Sequence, residues 1–144
     1  MSSKGSTFDN DWLKLIFNAN AIATIADNAG SSPLTNLYVG LHNADPTASG
    51  DQTSHETGYT SYARVAVART SGGWTVSGAS VSNAAAVTFP ACTGGSDTIT
   101  HVTIGTASTS TGKILYVGAL GSSLAVSSGI TPQFAIGNLA ASES

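Results

Sequence analysis

An alternating stretch near the middle of the chain constrains the fold most. Between residues 59 and 69 the side chains alternate in kind, which is the pattern of a β-strand with one face against a core. Gly72 and Gly73 follow and can supply the positive φ of a tight turn, and residues 74–76 then form a returning strand. Because a hairpin of this length is not stable alone in water, further strands must bury its face. The sequence therefore predicts a multi-stranded antiparallel structure.

The polarity of this chain comes from hydroxyl groups rather than from charge. Ser and Thr account for 39 of the 144 residues, whereas charged residues make up only 9%, against about 25% in ordinary globular domains. This composition does not suit a charged helical bundle and is typical of a β-rich protein with glycine turns. The length predicts a single domain over residues 1–144. Sparse charge fits a protein that works inside an assembly, and a monomer with a neutral surface is also consistent with it.

Short strands separated by turn residues are predicted through the rest of the chain. Residues 114–120 are the most apolar of these strands, so we expect them to be buried on both faces or nearly so. Over residues 34–141 the pattern predicts an antiparallel β-sandwich or a jelly-roll-like barrel, in a mainly β protein with one N-terminal α-helix. The predicted strands beyond the central hairpin are 34–42, 77–83, 84–89, 98–104, 114–120, 124–126, 130–134 and 136–139.

One helix is predicted, over residues 8–28, after a flexible tail at residues 1–7. Apolar side chains at three- and four-residue spacing make one stripe along it. Such a stripe either closes the core of its own domain or docks into a neighbouring subunit. The stripe consists of Phe8, Trp12, Leu15, Ile16, Ala19, Ile22, Ala23 and Ala26.

No group of residues has the spacing that a catalytic, cofactor or metal site requires. Gly105 and Gly112-Lys113 superficially resemble a phosphate-binding loop, but six residues separate the glycines where four are needed, and Ile114 follows the lysine. No carboxylate pair is placed for acid–base catalysis. The sequence therefore predicts a protein that is not an enzyme and holds no cofactor. The histidines also lack metal-motif spacing: His42, His55 and His101.

Charge and hydropathy limit the classes of partner. A net charge of −3 with five basic residues offers no surface that neutralises phosphates, so we expect no nucleic-acid binding. No apolar run is long enough to span a membrane, and the first residues do not resemble a signal peptide, so folding in a cytoplasm is expected. Cys92 is the only cysteine, which excludes an intrachain disulfide and favours an inert, partly buried thiol.

The two arginines and the aromatic residues are the candidates for contact with a partner. Arg64 and Arg69 should point to opposite faces of the central strand, because their positions differ in parity. Each arginine either pairs with a carboxylate or carbonyl of its own chain or makes a bidentate contact across a subunit interface. The tyrosines of this hairpin and Trp74 are either core or interface. The candidate interface residues are Phe8, Trp12, Asp45, His55, Tyr59, Tyr62, Arg64 and Arg69.

Several motifs in a fixed order resemble a known family. They lie at residues 37–42 with 44–46, 58–67, 82–90, 101–105, 114–120 and 134–137, and they cover nearly all of the chain after the helix. In this order they are similar to small structural proteins of tailed bacteriophages, which are often labelled tail fibre proteins. In size and predicted fold the chain is also similar to capsid decoration, or cement, proteins.

The resemblance implies a virion protein without catalytic residues. From it we expect a capsid decoration protein on the capsid exterior, forming a homotrimer and bridging subunits of the major capsid protein after assembly in the host cytoplasm. The alternative is a tail fibre or tail-tip component that binds the host surface. An exposed aromatic patch at Tyr59, Tyr62 or Trp74 would favour this alternative, because sugars stack on aromatic rings.

Overall fold

The computed structural model describes residues 6–22, 33–47 and 49–143, which divide into two compact units. The first, here called the helix unit, comprises Met1–Asn36, Val67–Val87 and Phe134–Ser144. The second, here called the sheet unit, comprises Leu37–Ala66 and Thr88–Gln133. The prediction of a single domain stays a prediction.

The described residues form one helix and nine strands, all in antiparallel or short paired ladders, so the prediction of a mainly β protein with one N-terminal helix is confirmed. The strands form a four-stranded sheet in the order β2-β1-β6-β7, a three-stranded sheet in the order β3-β4-β9 and a pair, β5-β8. None of these sheets closes into a barrel within the described residues. The elements are α1 (Ser6–Phe17), β1 (Asn36–His42), β2 (Val65–Ala68), β3 (Trp74–Ser77), β4 (Ser80–Asn83), β5 (Val87–Thr88), β6 (Ser96–Gly105), β7 (Ile114–Ser127), β8 (Gln133–Phe134) and β9 (Ala140–Ser142).

The helix is shorter than predicted and begins earlier. It starts at Ser6, inside the predicted tail, and ends at Phe17, well before residue 28. Ala19 takes a left-handed φ of 55°, and the N–H groups of Asn18 and Asn20 both donate to the carbonyl of Lys14, which stops the helix. Residues 18–22 are not helical, and the predicted positions 23–28 lie outside the described residues.

The buried face of the helix also differs from the predicted apolar stripe. Leu13 and Phe17 are fully buried, and the Phe17 ring packs edge-on against Trp74 with 4.8 Å between ring centroids. Phe8 and Trp12, which were placed on the predicted stripe, are both 37% exposed. The helix thus closes the core of its own unit, but through a face rotated from the one that apolar spacing indicated.

The predicted hairpin over residues 59–76 does not form. Of residues 59–69 only Val65–Ala68 form a strand, β2, which pairs with β1, whereas β3 pairs with β4 in another sheet. Gly73 does not have a positive φ; it is needed because a side chain there would meet the carbonyl oxygen of Ala68 at 2.1 Å. The tight hairpin of this region is instead β3-β4, where Gly78 has a φ of 59°.

The sheet unit is built on the antiparallel ladder of β1 and β6. Tyr38 pairs with Gly105 at one end of this ladder and His42 with His101 at the other. The core below it contains Leu37, Val39, Leu41, Tyr59, Phe89, Cys92, Ile99, Val102, Ile104 and Val126. Cys92 is buried, with 1% of its surface exposed, so the thiol predicted to be partly buried is more completely buried than expected.

The exposure of strand β7 shows that another prediction was wrong. Residues 114–120 were expected to be buried on both faces, but β7 is an end strand of its sheet and most of its 14 residues are exposed or half-exposed. Val117 is 41% exposed and Leu124 is 36% exposed. An apolar strand therefore lies at the edge of the sheet, and the described part of the chain does not cover its side chains.

Candidate functional site in the sheet unit

A bidentate ion pair holds the irregular segment before β2. Arg64 donates from Nε to Oε1 of Glu56 at 2.6 Å and from Nη2 to Oε2 at 2.7 Å. The same guanidinium donates to the carbonyls of Ala107 and Ser110, each at 2.9 Å. Four of the five N–H donors of this arginine are thus used within the sheet unit. The Arg64 side chain is only 2% exposed and that of Glu56 is 17% exposed. Because the guanidinium bonds both Glu56 and the two carbonyls, it anchors the β6-β7 loop, residues 106–113, from its buried side.

Tyr62 connects this pair to strand β1. Its hydroxyl donates to Oε1 of Glu56 at 2.9 Å and accepts from the backbone N–H of Leu41 at 3.0 Å. Burial raises the pKa of the Tyr62 phenol far above its ordinary value, so this hydroxyl stays protonated. Gly40 lies close to this hydroxyl and to two other side chains: a Cβ there would lie 3.1 Å from Oγ1 of Thr103 and 3.3 Å from Nε2 of His42, which is tight, and 3.4 Å from the phenol oxygen, which is ordinary contact.

Gln52 is a second buried anchor of the β6-β7 loop. Its side chain is fully buried, and Oε1 accepts from the N–H of Ala107 at 2.8 Å. The backbone N–H of Gln52 donates to the carbonyl of Gly112 at 3.0 Å. Gly105 and Gly112 surround it, and a Cβ on either glycine would lie 2.2 Å from the Gln52 amide. These glycines, which superficially resemble a phosphate loop in sequence, make space for a glutamine.

His42 ties the end of β1 to the loop that follows it. Its Nδ1 lies 2.9 Å from the carbonyl of Ser54, and its Nε2 lies 2.8 Å from Oγ1 of Thr103. A carbonyl can only accept, so Nδ1 carries the proton and Nε2 accepts from the threonine hydroxyl. Burial lowers the pKa of His42, in keeping with a neutral ring in a fully buried position.

Asp97 organises a shallow cavity at the other end of β6. Thr57 donates its hydroxyl to Oδ2 of Asp97 at 2.6 Å, Asn43 donates its amide to the same oxygen at 3.3 Å, and the N–H of Thr98 donates to Oδ1 at 2.8 Å. The cavity has a volume of about 510 Å³, and Ala125, Val126 and Ser127 of β7 complete its lining. The Asp97 carboxylate already accepts these three hydrogen bonds, so its role is to hold the loops that carry the donors.

Five of the predicted interface residues lie in the sheet unit. Asp45 and His55 are exposed on the loop after β1, where Oδ1 of Asp45 accepts from the N–H of Thr47 in a local turn. Tyr59 is 4% exposed and donates its hydroxyl to the carbonyl of Pro90. Tyr59 and Tyr62 pack edge to face, and Arg64 pairs with Glu56 as described. The structure brings the last three together; their role at an interface stays a prediction.

The other three lie in the helix unit. Arg69 donates from Nε to the carbonyl of Ile16 at 2.6 Å and from Nη2 to that of Leu15 at 2.7 Å, which caps the end of α1. Phe8 and Trp12 lie one turn apart on the exposed side of α1, with ring centroids 6.4 Å apart. The intramolecular alternative considered for each arginine is therefore present in the structure.

The aromatic residues of the central stretch do not form an exposed patch. Trp74 is 1% exposed, which confirms it as core, and Tyr59 is nearly as buried. Tyr62 stacks on Phe89 with 6.3 Å between centroids and 11° between ring planes. The aromatic surface that would favour sugar stacking is thus absent from these three positions.

Sequence reasoning missed Gln52, Glu56 and Asp97 as the anchors of the loops. A usable signal existed for Gln52, because two glycines that frame a loop indicate a close approach by some other group. Which group approaches could not be read from the chain, since Gln52 is 53 residues from Gly105 in an irregular segment.

The chemistry available at these positions is that of hydrogen-bonded support. Among the described residues no three His, Cys, Asp or Glu side chains are grouped closely enough to hold a metal ion. The single described helix is too short to cross a membrane. The arrangement supplies rigid loops around one sheet.

Comparison with known proteins identifies the family of this chain. Residues 9–142 match the family model described as Podophage GP4 fiber I protein gp80, whereas no curated protein matches the chain. The match covers the helix and all nine strands apart from the first three residues of α1, which confirms the resemblance to structural proteins of the phage virion. The chain belongs to the podophage GP4 fiber I protein gp80 family.

Proposed function

We propose that this chain is a non-enzymatic structural component of a phage fibre. The observation that carries the proposal is the family match over residues 9–142, whose description names a fibre protein. The geometry supports it, because Glu56, Arg64 and His42, the side chains best suited to chemistry, are bonded to their own loops. In this role their function is to keep the loops rigid.

The fibre would contact the host surface through the tip of the β6-β7 loop. Residues 108–111 are exposed, while Arg64 and Gln52 hold the base of the same loop through the backbone of Ala107, Ser110 and Gly112. A loop fixed in this way loses little conformational entropy on binding, which favours recognition by a small polar surface. Buried Tyr59 and Trp74 would not take part.

A capsid decoration protein is the second candidate. No internal repeat stands out in this sequence, and the absence of a repeated shaft segment favours a compact module on a shell. In that role it would bind the major capsid protein on the capsid exterior, with a homotrimer bridging adjacent subunits. Bridging stabilises a shell because the contacts exist only in the assembled state.

The copy number per virion separates the two placements. Purified particles would be digested and the chain quantified by mass spectrometry against the major capsid protein. A few copies or a few dozen are expected for a fibre. Hundreds of copies in simple ratio to the capsid subunit would overturn the fibre proposal and place the protein on the shell.

Host contact needs its own measurement. Binding of the purified chain to host cells would be compared with that of a variant in which Ser108 and Thr109 are both replaced by Lys. Reduced binding of the variant is expected, and equal binding by both proteins would exclude the tip of the β6-β7 loop as the contact.

A further inference from the structure

The cavity beside the start of β6 has the composition of a small polar binding site. It is lined by Asn43, by residues 96–98 and by residues 125–127, all of which belong to the sheet unit. Five of these seven described residues carry a hydroxyl, amide or carboxylate group, and none of the seven is aromatic or basic. The volume of about 510 Å³ lies within the range of small-molecule sites, about 300–1,000 Å³.

The polar groups of this cavity are held in place by the fold. Asp97 accepts hydrogen bonds from Thr57 at 2.6 Å and from Asn43 at 3.3 Å. The backbone N–H of Thr57 donates in turn to the carbonyl of Leu41 at 2.9 Å. The backbone N–H of Asn43 donates to the carbonyl of His55 at the same distance. Because these groups are already ordered, a ligand that bonds to them pays little conformational entropy on binding.

Asp97 and Asn43 retain hydrogen-bonding capacity in the cavity that they both line. A carboxylate has about four acceptor positions, and three of those of Asp97 are occupied by Thr57, Asn43 and the N–H of Thr98. The amide of Asn43 uses one of its two N–H groups on Asp97, and no described residue donates to its carbonyl oxygen. The pair can therefore accept from one further hydroxyl and both donate to and accept from another.

We propose that this cavity binds a neutral sugar unit through two adjacent hydroxyl groups. One hydroxyl would donate to the remaining acceptor position of Asp97, and its neighbour would accept from the second N–H of Asn43. A hydroxyl suits both positions because it can donate and accept. The apolar groups of Ala125 and Val126, which line the same cavity, would contact the C–H groups of the sugar ring.

The other classes of ligand fit this cavity less well. An anion would be repelled, because Asp97 is the single charged residue among those that line the cavity. A hard metal ion needs about six oxygen ligands, whereas here one carboxylate already faces three N–H and O–H donors. An apolar molecule would take water away from five polar side chains without replacing its hydrogen bonds.

The sugar site is separate from the host contact proposed at the tip of the β6-β7 loop. Nine positions separate Asp97 from Thr106, the first residue of that loop, which corresponds to roughly 30 Å along a strand. The site thus goes beyond the proposed loop contact and does not require it. Because the cavity is shallow and offers few hydrogen bonds, we expect weak binding, with a Kd of about 1 mM.

Titration of the isotopically labelled full chain, followed by NMR, tests the site. The probes are glucose, galactose, mannose and N-acetylglucosamine. At least one of them should shift the amide signals of residues 96–98 and 125–127 along a saturating curve and leave those of residues 106–113 in place. Glucuronic acid, which adds a carboxylate to the same ring as glucose, should bind more weakly than glucose. Methylammonium, a cation without hydroxyl groups, should bind more weakly than the preferred sugar.

Two substitutions with matched controls locate the binding. Ala125→Leu fills the cavity from an exposed position and should weaken sugar binding about tenfold or more, whereas Ala119→Leu changes an exposed residue of the same strand outside the cavity and should leave it unchanged. Asp97→Asn removes the carboxylate and should also weaken binding about tenfold. Asp45→Asn removes the same charge from an exposed position that does not line the cavity, and should have no effect.

Three results would each overturn the proposal. The first is the lack of a saturating shift with any of the four sugars at about fifty times the expected Kd. The second is binding that Ala125→Leu weakens no more than Ala119→Leu does, with circular dichroism showing that both variants are folded. The third is tighter binding of methylammonium than of every sugar, which would make this a cation site. The variant with Lys at positions 108 and 109 keeps the cavity and should bind the sugar normally, so failure of the loop contact and failure of the sugar site are distinguishable.

Discussion

Replacing Arg64 by Met should destabilise the sheet unit more than any other single charge removal. The variant leaves the Glu56 carboxylate, which is 17% exposed, without its bidentate partner, and leaves the carbonyls of Ala107 and Ser110 without a donor. Removal of one member of a buried pair costs about 3–5 kcal/mol. Because Glu56 keeps some contact with water and the hydroxyl of Tyr62 still donates to it, we expect about 3 kcal/mol, the lower end of that range.

Urea unfolding followed by circular dichroism measures this loss, with Lys113→Met as the matched control. Lys113 is an exposed charged residue of the same loop, so its substitution should change the free energy of unfolding by only about 0.5 kcal/mol or less. Hydrogen exchange over residues 106–113 provides a local measurement, since the loop loses its anchor and its amides should exchange faster. The double variant Glu56→Gln/Arg64→Met removes the stranded charge and should recover about 1–2 kcal/mol.

Two results would refute this reasoning about the ion pair. If Arg64→Met costs no more than Lys113→Met, the pair does not hold the loop and its geometry carries no energetic weight. If adding Glu56→Gln to Arg64→Met lowers the free energy of unfolding by as much as Glu56→Gln alone does, the two side chains act independently. The unpaired carboxylate would then not be the source of the loss.

Three further predictions follow from the described contacts. Burial lowers the pKa of His42 below its ordinary value of 6.5, so as the pH falls the unfolded chain binds the proton before the folded protein does. The contribution of neutral His42 to the free energy of unfolding should therefore be fully present above pH 6.5 and decrease as the pH falls toward the folded-state pKa. In thermal unfolding, the melting temperature of His42→Gln should decrease less than that of the unsubstituted protein over this pH window. Gly112→Ala should cost about 1–3 kcal/mol in urea unfolding because its Cβ collides with Gln52, whereas Gly118→Ala, with nothing within 4 Å, should be nearly neutral; equal effects would contradict this assignment. Arg69→Met should cost about 1–2 kcal/mol and reduce the helical circular dichroism signal, since two carbonyls at the end of α1 lose their donor; an unchanged helical signal would exclude the capping role.

Local patterns in the sequence predicted the elements whose neighbours are also local or regular. The alternation over residues 98–104 correctly indicated β6, which is paired on both sides in the sheet. The hairpin predicted around Gly72 and Gly73 failed because strand pairing is a tertiary choice: the segment before these glycines pairs with β1, far away in the chain, and the segment after them pairs with β4. Composition and turn signals cannot distinguish these two outcomes.

The candidate site was less accessible to sequence reasoning than the strands. Arg64 was identified as a candidate, and pairing with a carboxylate was one of its two predicted states, but the carboxylate could not be named. Glu56 and Arg64 are eight residues apart in segments without regular structure, where no periodicity places two side chains on one face. Gln52 reaches the β6-β7 loop only because the fold brings two distant segments together.

The apolar character of β7 shows what hydrophobicity does and does not determine. The sequence over residues 114–120 was predicted to be buried because exposed apolar surface is costly in water. That cost applies equally when the cover comes from another molecule, so hydrophobicity indicates that a strand is to be covered without identifying the cover.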